Sequence, residues 1–310
     1  MGLFNSYTKP GKGVSKDEPE KKGFFLFWDV FFHKLTKILG ANALYTILSL
    51  LWLVILCVIG IHFVLPTAPD VITNVINASG AESPETLISF AVLSVYAMFA
   101  TTAFTFLGSG PVSASYAYIV KCFANREHVW MMSDGWDKLK ENFIQAIIVI
   151  LIDAVALIAV PVAIRFYGIM SADSAFYTLL CYIMIVFAII YVWMHFYIYQ
   201  IMVTFKCTLK ELYQNALICA FAKLPMNIFL TIVCGAVSIL TYTFITNSFI
   251  AVIFSTVIGM CFTRFVVEFY AARCIAKIIP DDQDGADDGQ EEAVFDDNLL
   301  AKLNSSEEKK

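Results

Sequence analysis

The chain reads as an all-α integral membrane bundle of about six transmembrane helices, with amphipathic helices on its cytoplasmic side. Three observations predict it. Of 310 residues, 59% are hydrophobic and 15% charged, against roughly 25% charged in an average soluble protein. Mean hydropathy is +0.73. The apolar residues also gather in six long stretches rather than in short periodic ones. A soluble enzyme, a nucleic-acid binder and a disordered regulator are excluded as readings of the whole chain.

Crossing about 30 Å of hydrocarbon as a helix takes roughly 20 residues. The stretches that reach this length are about 41–65, 85–107, 143–165, 175–204, 225–244 and 248–275. Lipid offers no partner to an unpaired backbone group, so each is expected to be helical. They lie within a membrane domain spanning 24–280, between a cytoplasmic N-terminal segment (1–23) and an acidic cytoplasmic tail (281–310). The tail carries eleven acidic and three basic residues, while the whole chain nets −5, so the part before the tail is net positive at +3.

Orientation follows from Lys and Arg in the connecting segments. Seven lie before Gly40, none in 66–84, and four in 121–142 (Lys121, Arg126, Lys138, Lys140). The 165–174 loop has only Arg165, 205–224 has Lys206, Lys210 and Lys223, and 245–247 has none. Arg273 and Lys277 come at the inner end of the last span. Both termini are therefore expected in the cytoplasm. The first apolar span starts about 40 residues in and is too long for a signal-peptide core.

Before that span, Phe24-Phe25-Leu26-Phe27-Trp28 and then Phe31, Phe32, Leu35 and Ile38 read as an interfacial amphipathic helix with Lys34 and Lys37 facing water. The competing reading is a plain extension of the first span. The eight cysteines have no metal-ligand spacing and none falls in an expected outside loop, so they read as reduced thiols. Asn77-Ala78-Ser79 is a glycosylation sequon on the outer side, relevant only in a eukaryotic secretory pathway.

Three segments resemble one another: Lys37 to Leu44, Lys140 to Ile147 and Lys210 to Leu217. Each is Lys, four residues, an amide side chain (Asn42, Gln145, Asn215), Ala, then Leu or Ile. They read as three copies of an amphipathic helix followed by a helical hairpin, with convergence at the inner interface as the alternative.

Gly108-Ser109-Gly110-Pro111 interrupts an apolar run too long for one upright span. Proline cannot close the helical ladder but suits the first position of a new helix, which is expected to start at Pro111. Gly108, Gly110 and Pro111 thus mark a candidate ligand-facing turn, since N–H groups at a helix start receive anions and oxygens. A kink or loop at the inner interface is the plainer alternative.

From this turn onward the sequence resembles a family. Gly110-Pro111-Val112-Ser113-Ala114-Ser115-Tyr116-Ala117-Tyr118-Ile119-Val120-Lys121, then Ala124-Asn125-Arg126-Glu127-His128-Val129-Trp130, Ser133-Asp134 and Lys140-Glu141-Asn142-Phe143 are similar to the YesL-like bacterial membrane proteins, a domain of unknown function. Thr208-Leu209-Lys210 through Asn215-Ala216 to Leu224-Pro225 and the tail's Val294-Phe295-Asp296-Asp297 add to the likeness. It covers about 24–300 and is distinctive over 108–146. Gly135 departs from it, standing where an aromatic usually follows the Asp. The resemblance implies a bacterial plasma-membrane protein. It also implies an accessory or regulatory role in carbohydrate uptake or utilisation, because members tend to be encoded beside binding-protein-dependent sugar transporters and polysaccharide-degrading enzymes. Sugar-transporter subunits are the implied partners besides the lipid bilayer. No catalytic residue carries over.

Charges inside spans cost roughly 2.5–3.5 kcal/mol each on insertion scales. Asp153 lies about ten residues, or roughly 15 Å, into its span. Arg264 and Glu268 are four apart on one helix face, and Tyr191, His195 and Tyr199 share another. Asp153, His195, Arg264 and Glu268 therefore form a candidate intramembrane polar cluster. It reads as the lining of a solute pathway in a stand-alone small-solute transporter, or as an ion pair (Asp153 with Arg264, or Arg264 with Glu268) fastening the bundle. The sequence has no metal, cofactor or catalytic motif, and no enzyme is expected. In the tail, Val294, Phe295, Leu299, Leu300 and Leu303 fit one face of a short helix, either docking on a partner or simply solubilising.

Overall fold

The computed structural model describes residues 23–64, 103, 106–245 and 261–277. Every helix or strand element among them is helical. In chain order these are α1 (Phe24–His33), α2 (Leu35–Leu48), α3 (Leu50–Ile59) with a π-turn at Gly60–Val64, α4 (Pro111–Ala124), α5 (Ser133–Glu141), α6 (Phe143–Met170), α7 (Ala175–Thr204), α8 (Leu209–Ala222), α9 (Leu224–Ile245) and α10 (Cys261–Ala276).

Three helices are long and apolar enough to cross a membrane: Leu35–Leu56, Phe143–Met170 and Ala175–Thr204. A fourth candidate is α8 with Leu224–Leu240, which pass together but are bent by 91°. The six-span expectation thus stands at three to four among the described residues. Most of 85–107 and the first half of 248–275 lie outside those residues, as do 1–22, 66–84 and the tail. The first candidate span also starts at Leu35 rather than near residue 41, because apolar residues and helical hydrogen bonds run on from Lys34.

At the centre stands α4. It is rich in Ser, Ala and Tyr, and Ser113, Ala114 and Ala117 are fully buried. Small side chains let neighbouring helices approach closely where lipid-soluble faces give no hydrophobic drive to associate. Helices α2, α6, α7 and α10 all pack against α4. α10 is buried nearly all round, as a helix with no solvent or lipid face must be.

The segment before the first span is a separate helix, α1, docked on the bundle. Phe27 meets Phe265 and Phe269 at ring-centre distances of 5.7 and 5.3 Å, and Asp29 pairs with Arg126 at 3.1 Å. Phe24, Phe25 and Phe32 point outward. Lys37 is exposed, but Lys34 does not simply face water. Its ammonium lies 4.9 Å from the centre of the Phe123 ring and donates to the Glu127 carbonyl at 3.5 Å. Burial, then neighbouring Lys37, holds its pKa below the ordinary 10.5. The stem packs along apolar surface while the charge reaches the rim.

Among the described residues, three of the single-residue joints between helices share one further feature: Lys34 (α1/α2), Asn142 (α5/α6) and Lys223 (α8/α9). Their φ, ψ values are −108°, 16°; −100°, 9°; and −115°, 33°. At each, the joint's N–H donates to the carbonyl four residues back, and its carbonyl accepts from the N–H four ahead, all at 2.9–3.2 Å. The residues four ahead, Ile38, Ala146 and Asn227, are all buried. The repeated Lys-and-amide pattern is out of register with these joints: Gln145 follows Asn142 by three residues, whereas Asn215 precedes Lys223 by eight. What recurs in space is the joint and the buried residue after it.

Candidate functional site

The Gly-Ser-Gly-Pro break is a tight, buried turn that starts α4 at Pro111, as the sequence expects. Gly108 has φ +89° and Gly110 φ +62°, conformations that L side chains rarely adopt. Both are also crowded. A Cβ on Gly108 would stand 2.6 Å from Ser113 Oγ, 3.0 Å from Tyr199 Cε2 and 3.3 Å from Arg264 Nη2. On Gly110 it would meet Ile150 Cδ1 at 3.1 Å and the Ala146 carbonyl at 3.3 Å.

Side chains answer the turn's backbone groups. Ser109 N–H donates to Ser113 Oγ (2.7 Å), Gly110 N–H to the Tyr199 hydroxyl (3.2 Å), and Trp52 Nε1 to the Gly108 carbonyl (2.8 Å). Ser49 hydrogen-bonds Ser109 at 2.7 Å and Tyr45 hydrogen-bonds Ser113 at 2.8 Å. The Ser109 and Gly110 amides thus already have protein partners. The turn itself is a lock between the first span, α4 and α7.

Against that lock lie Arg264 and Glu268, one turn apart on α10, ion-paired and fully buried. The guanidinium sits 5.1 Å from the centre of the Tyr199 ring, a cation–π contact. Gln200 lies beside Glu268 and donates to the Ala117 carbonyl at 2.8 Å. Of the two ion pairs the sequence left open, the structure forms Arg264 with Glu268.

Asp153 turns to His195 instead. Its Oδ1 lies 2.7 Å from His195 Nε2, an ion-pair contact without linear hydrogen-bond alignment, and accepts from the Tyr191 hydroxyl at 2.6 Å. His195 Nδ1 is 3.0 Å from the Tyr191 carbonyl. Asp153 and His195 are both fully buried.

The two pairs belong to one polar region. Tyr191, His195 and Tyr199 repeat every four residues along one face of α7, as their spacing predicts. Tyr191 and His195 meet Asp153, and Tyr199 meets Arg264 and Gly110. The structure therefore brings the polar cluster and the glycine turn, separate features in the sequence, to one place. Sequence reasoning missed Gln200, Tyr45, Ser49 and Ser113. An amide within the apolar run Ile198-Tyr199-Gln200-Ile201 was the signal for Gln200. Nothing in a Ser or Tyr of the first span marks it as a partner of a turn 60 residues away.

Asp153 Oδ2, Gln200 Oε1, and Arg264 Nε and Nη1 are buried without a hydrogen-bond partner. Such a region can hold or exchange a proton, or accept a small polar group. Among the described residues no three His, Cys, Asp or Glu side chains group to hold a metal ion. Among the described residues, fold and site together define an all-helical protein with three to four candidate membrane-spanning helices and a buried charged cluster. No family model, no curated protein and no solved structure matches the chain.

Proposed function

We propose that the chain is a multi-pass protein of the bacterial plasma membrane, with six spans and both termini cytoplasmic. It serves carbohydrate uptake or utilisation as an accessory or regulatory component, and the buried cluster is its working part. The observation that carries this reading is the set of unpartnered polar atoms on Asp153, Gln200 and Arg264. An unsatisfied buried donor or acceptor costs about 1–3 kcal/mol, and ionisable residues among spanning helices are as a rule functional. The resemblance to YesL-like proteins supplies the carbohydrate context, and the Lys and Arg distribution supplies the orientation.

Purification in mild detergent followed by mass spectrometry tests the association. Sugar-transporter subunits are expected to co-purify, and repeated recovery of the protein alone counts against the reading. Growth of a deletion strain across many carbon sources identifies the pathway served.

A stand-alone small-solute transporter is the second reading, favoured by the buried contact of Asp153 with His195. Reconstituted vesicles then take up a solute, and Asp153→Asn abolishes uptake. Inactivity of the wild type across a broad sugar and ion panel removes this alternative.

A further inference from the structure

We propose that Asp153 and His195 form a buried proton-binding site, with one proton carried on either Asp153 Oδ1 or His195 Nε2. The inference rests on the reading of the cluster as the working part, and it names the ligand.

Hydrogen-bond roles fix the proton count. His195 Nδ1 bonds the Tyr191 backbone carbonyl, which only accepts, so Nδ1 carries a hydrogen. A neutral imidazole with its hydrogen on Nδ1 has a bare lone pair on Nε2. That nitrogen lies 2.7 Å from Asp153 Oδ1. Two lone pairs at this separation repel, so a proton sits on one atom or the other. Tyr191 does not relieve this, because its hydroxyl already donates to the same oxygen.

Charge balance agrees. Tyr191 and Tyr199 on α7 and Tyr213 on α8 lie near the pair, while Arg264 and Glu268 on α10 compensate each other. With neutral His195 and an Asp153 carboxylate the pair carries −1. The added proton brings it to zero, and buried charge is tolerated only when compensated.

Tyr191 bonds Asp153, and Tyr213 of α8 lies beside Tyr191 with its hydroxyl buried. Release of the proton to water therefore requires the packing here to open. It leaves an Asp153 carboxylate facing the bare Nε2, and the two push apart. Proton release thereby loosens α6 from α7 at this height.

The test uses full-length protein with 15N-labelled histidine in detergent, its ring nitrogens followed by NMR from about pH 5 to pH 8, where histidine titrates. The His195 signals are those lost in His195→Gln. At the acid end Nε2 of His195 is expected to be protonated or strongly hydrogen-bonded, and in Asp153→Asn it should lose that signature. Tyr191→Phe, which keeps both partners, should keep the signature. A bare Nε2 in the wild type throughout, or the wild-type signature in Asp153→Asn, overturns the proposal. The expected signature in a protein with no uptake phenotype and no co-purifying transporter leaves the proton site standing and removes the accessory reading.

Discussion

Adding one methyl group at Gly108 should be among the most damaging small changes in this protein. In Gly108→Ala the new Cβ would lie 2.6 Å from Ser113 Oγ, 3.0 Å from Tyr199 Cε2 and 3.3 Å from Arg264 Nη2. None of the three can yield freely. Ser113 is held by Ser109 N–H and Tyr45, Tyr199 by Gly110 N–H, and Arg264 by Glu268. Two costs add. A side chain at φ +89° costs about 1–2 kcal/mol, and overpacking a filled interior costs about 1–3 kcal/mol. A loss of about 2–5 kcal/mol follows, read from denaturant titration of the detergent-solubilised protein. Gly168→Ala is the matched control. It lies in α6 with nothing within 4 Å of the added carbon and no positive φ, so helix propensity should make it neutral or up to about 1 kcal/mol stabilising. Equal stability of Gly108→Ala and wild type would refute the reading of the turn as a packed lock.

Three further outcomes are expected. Arg264→Gln or Glu268→Gln alone leaves a buried partner uncompensated and should cost about 3–5 kcal/mol, whereas Arg264→Met combined with Glu268→Leu should recover most of it; additive losses in the double-mutant cycle would sink the pair. Burial, reinforced by Glu211, pushes the Cys207 thiol from 9.0 up to about 11. Its alkylation at pH 8 should then be about a hundredfold slower than a free cysteine's and rise about tenfold per pH unit, and a rate equal to a free thiol's would contradict this. In a cysteine-free background, Ser171→Cys should react with an impermeant reagent from outside sealed cells and Ser133→Cys should not; labelling of Ser133→Cys would overturn the proposed orientation.

How much of this was legible in the sequence depends on the range of the interaction. The span 175–204 matches α7 residue for residue, and Pro111 starts α4 as expected, because apolar run length and the missing proline N–H are local signals. The pairing of Arg264 with Glu268 was readable as helix spacing. The choice of His195 as the partner of Asp153 was not, since it depends on how α6 and α7 are rotated against each other. The joints at Lys34, Asn142 and Lys223 were hidden for a different reason. Their residues are chemically unalike, and what they share is a backbone conformation together with a buried neighbour four positions on.

Those joints have a mechanical consequence. A loop between two helices absorbs displacement, but a joint of one residue with a hydrogen bond on either side has no slack to absorb it. At Lys223 the chain turns through 91° within that single residue. A partner that shifts α8 sideways must therefore rotate α9 with it, the short helix serving as the arm of a lever and Lys223 as its fulcrum. α8 also packs along α7, where its Tyr213 lies beside Tyr191, so the same push arrives at Asp153.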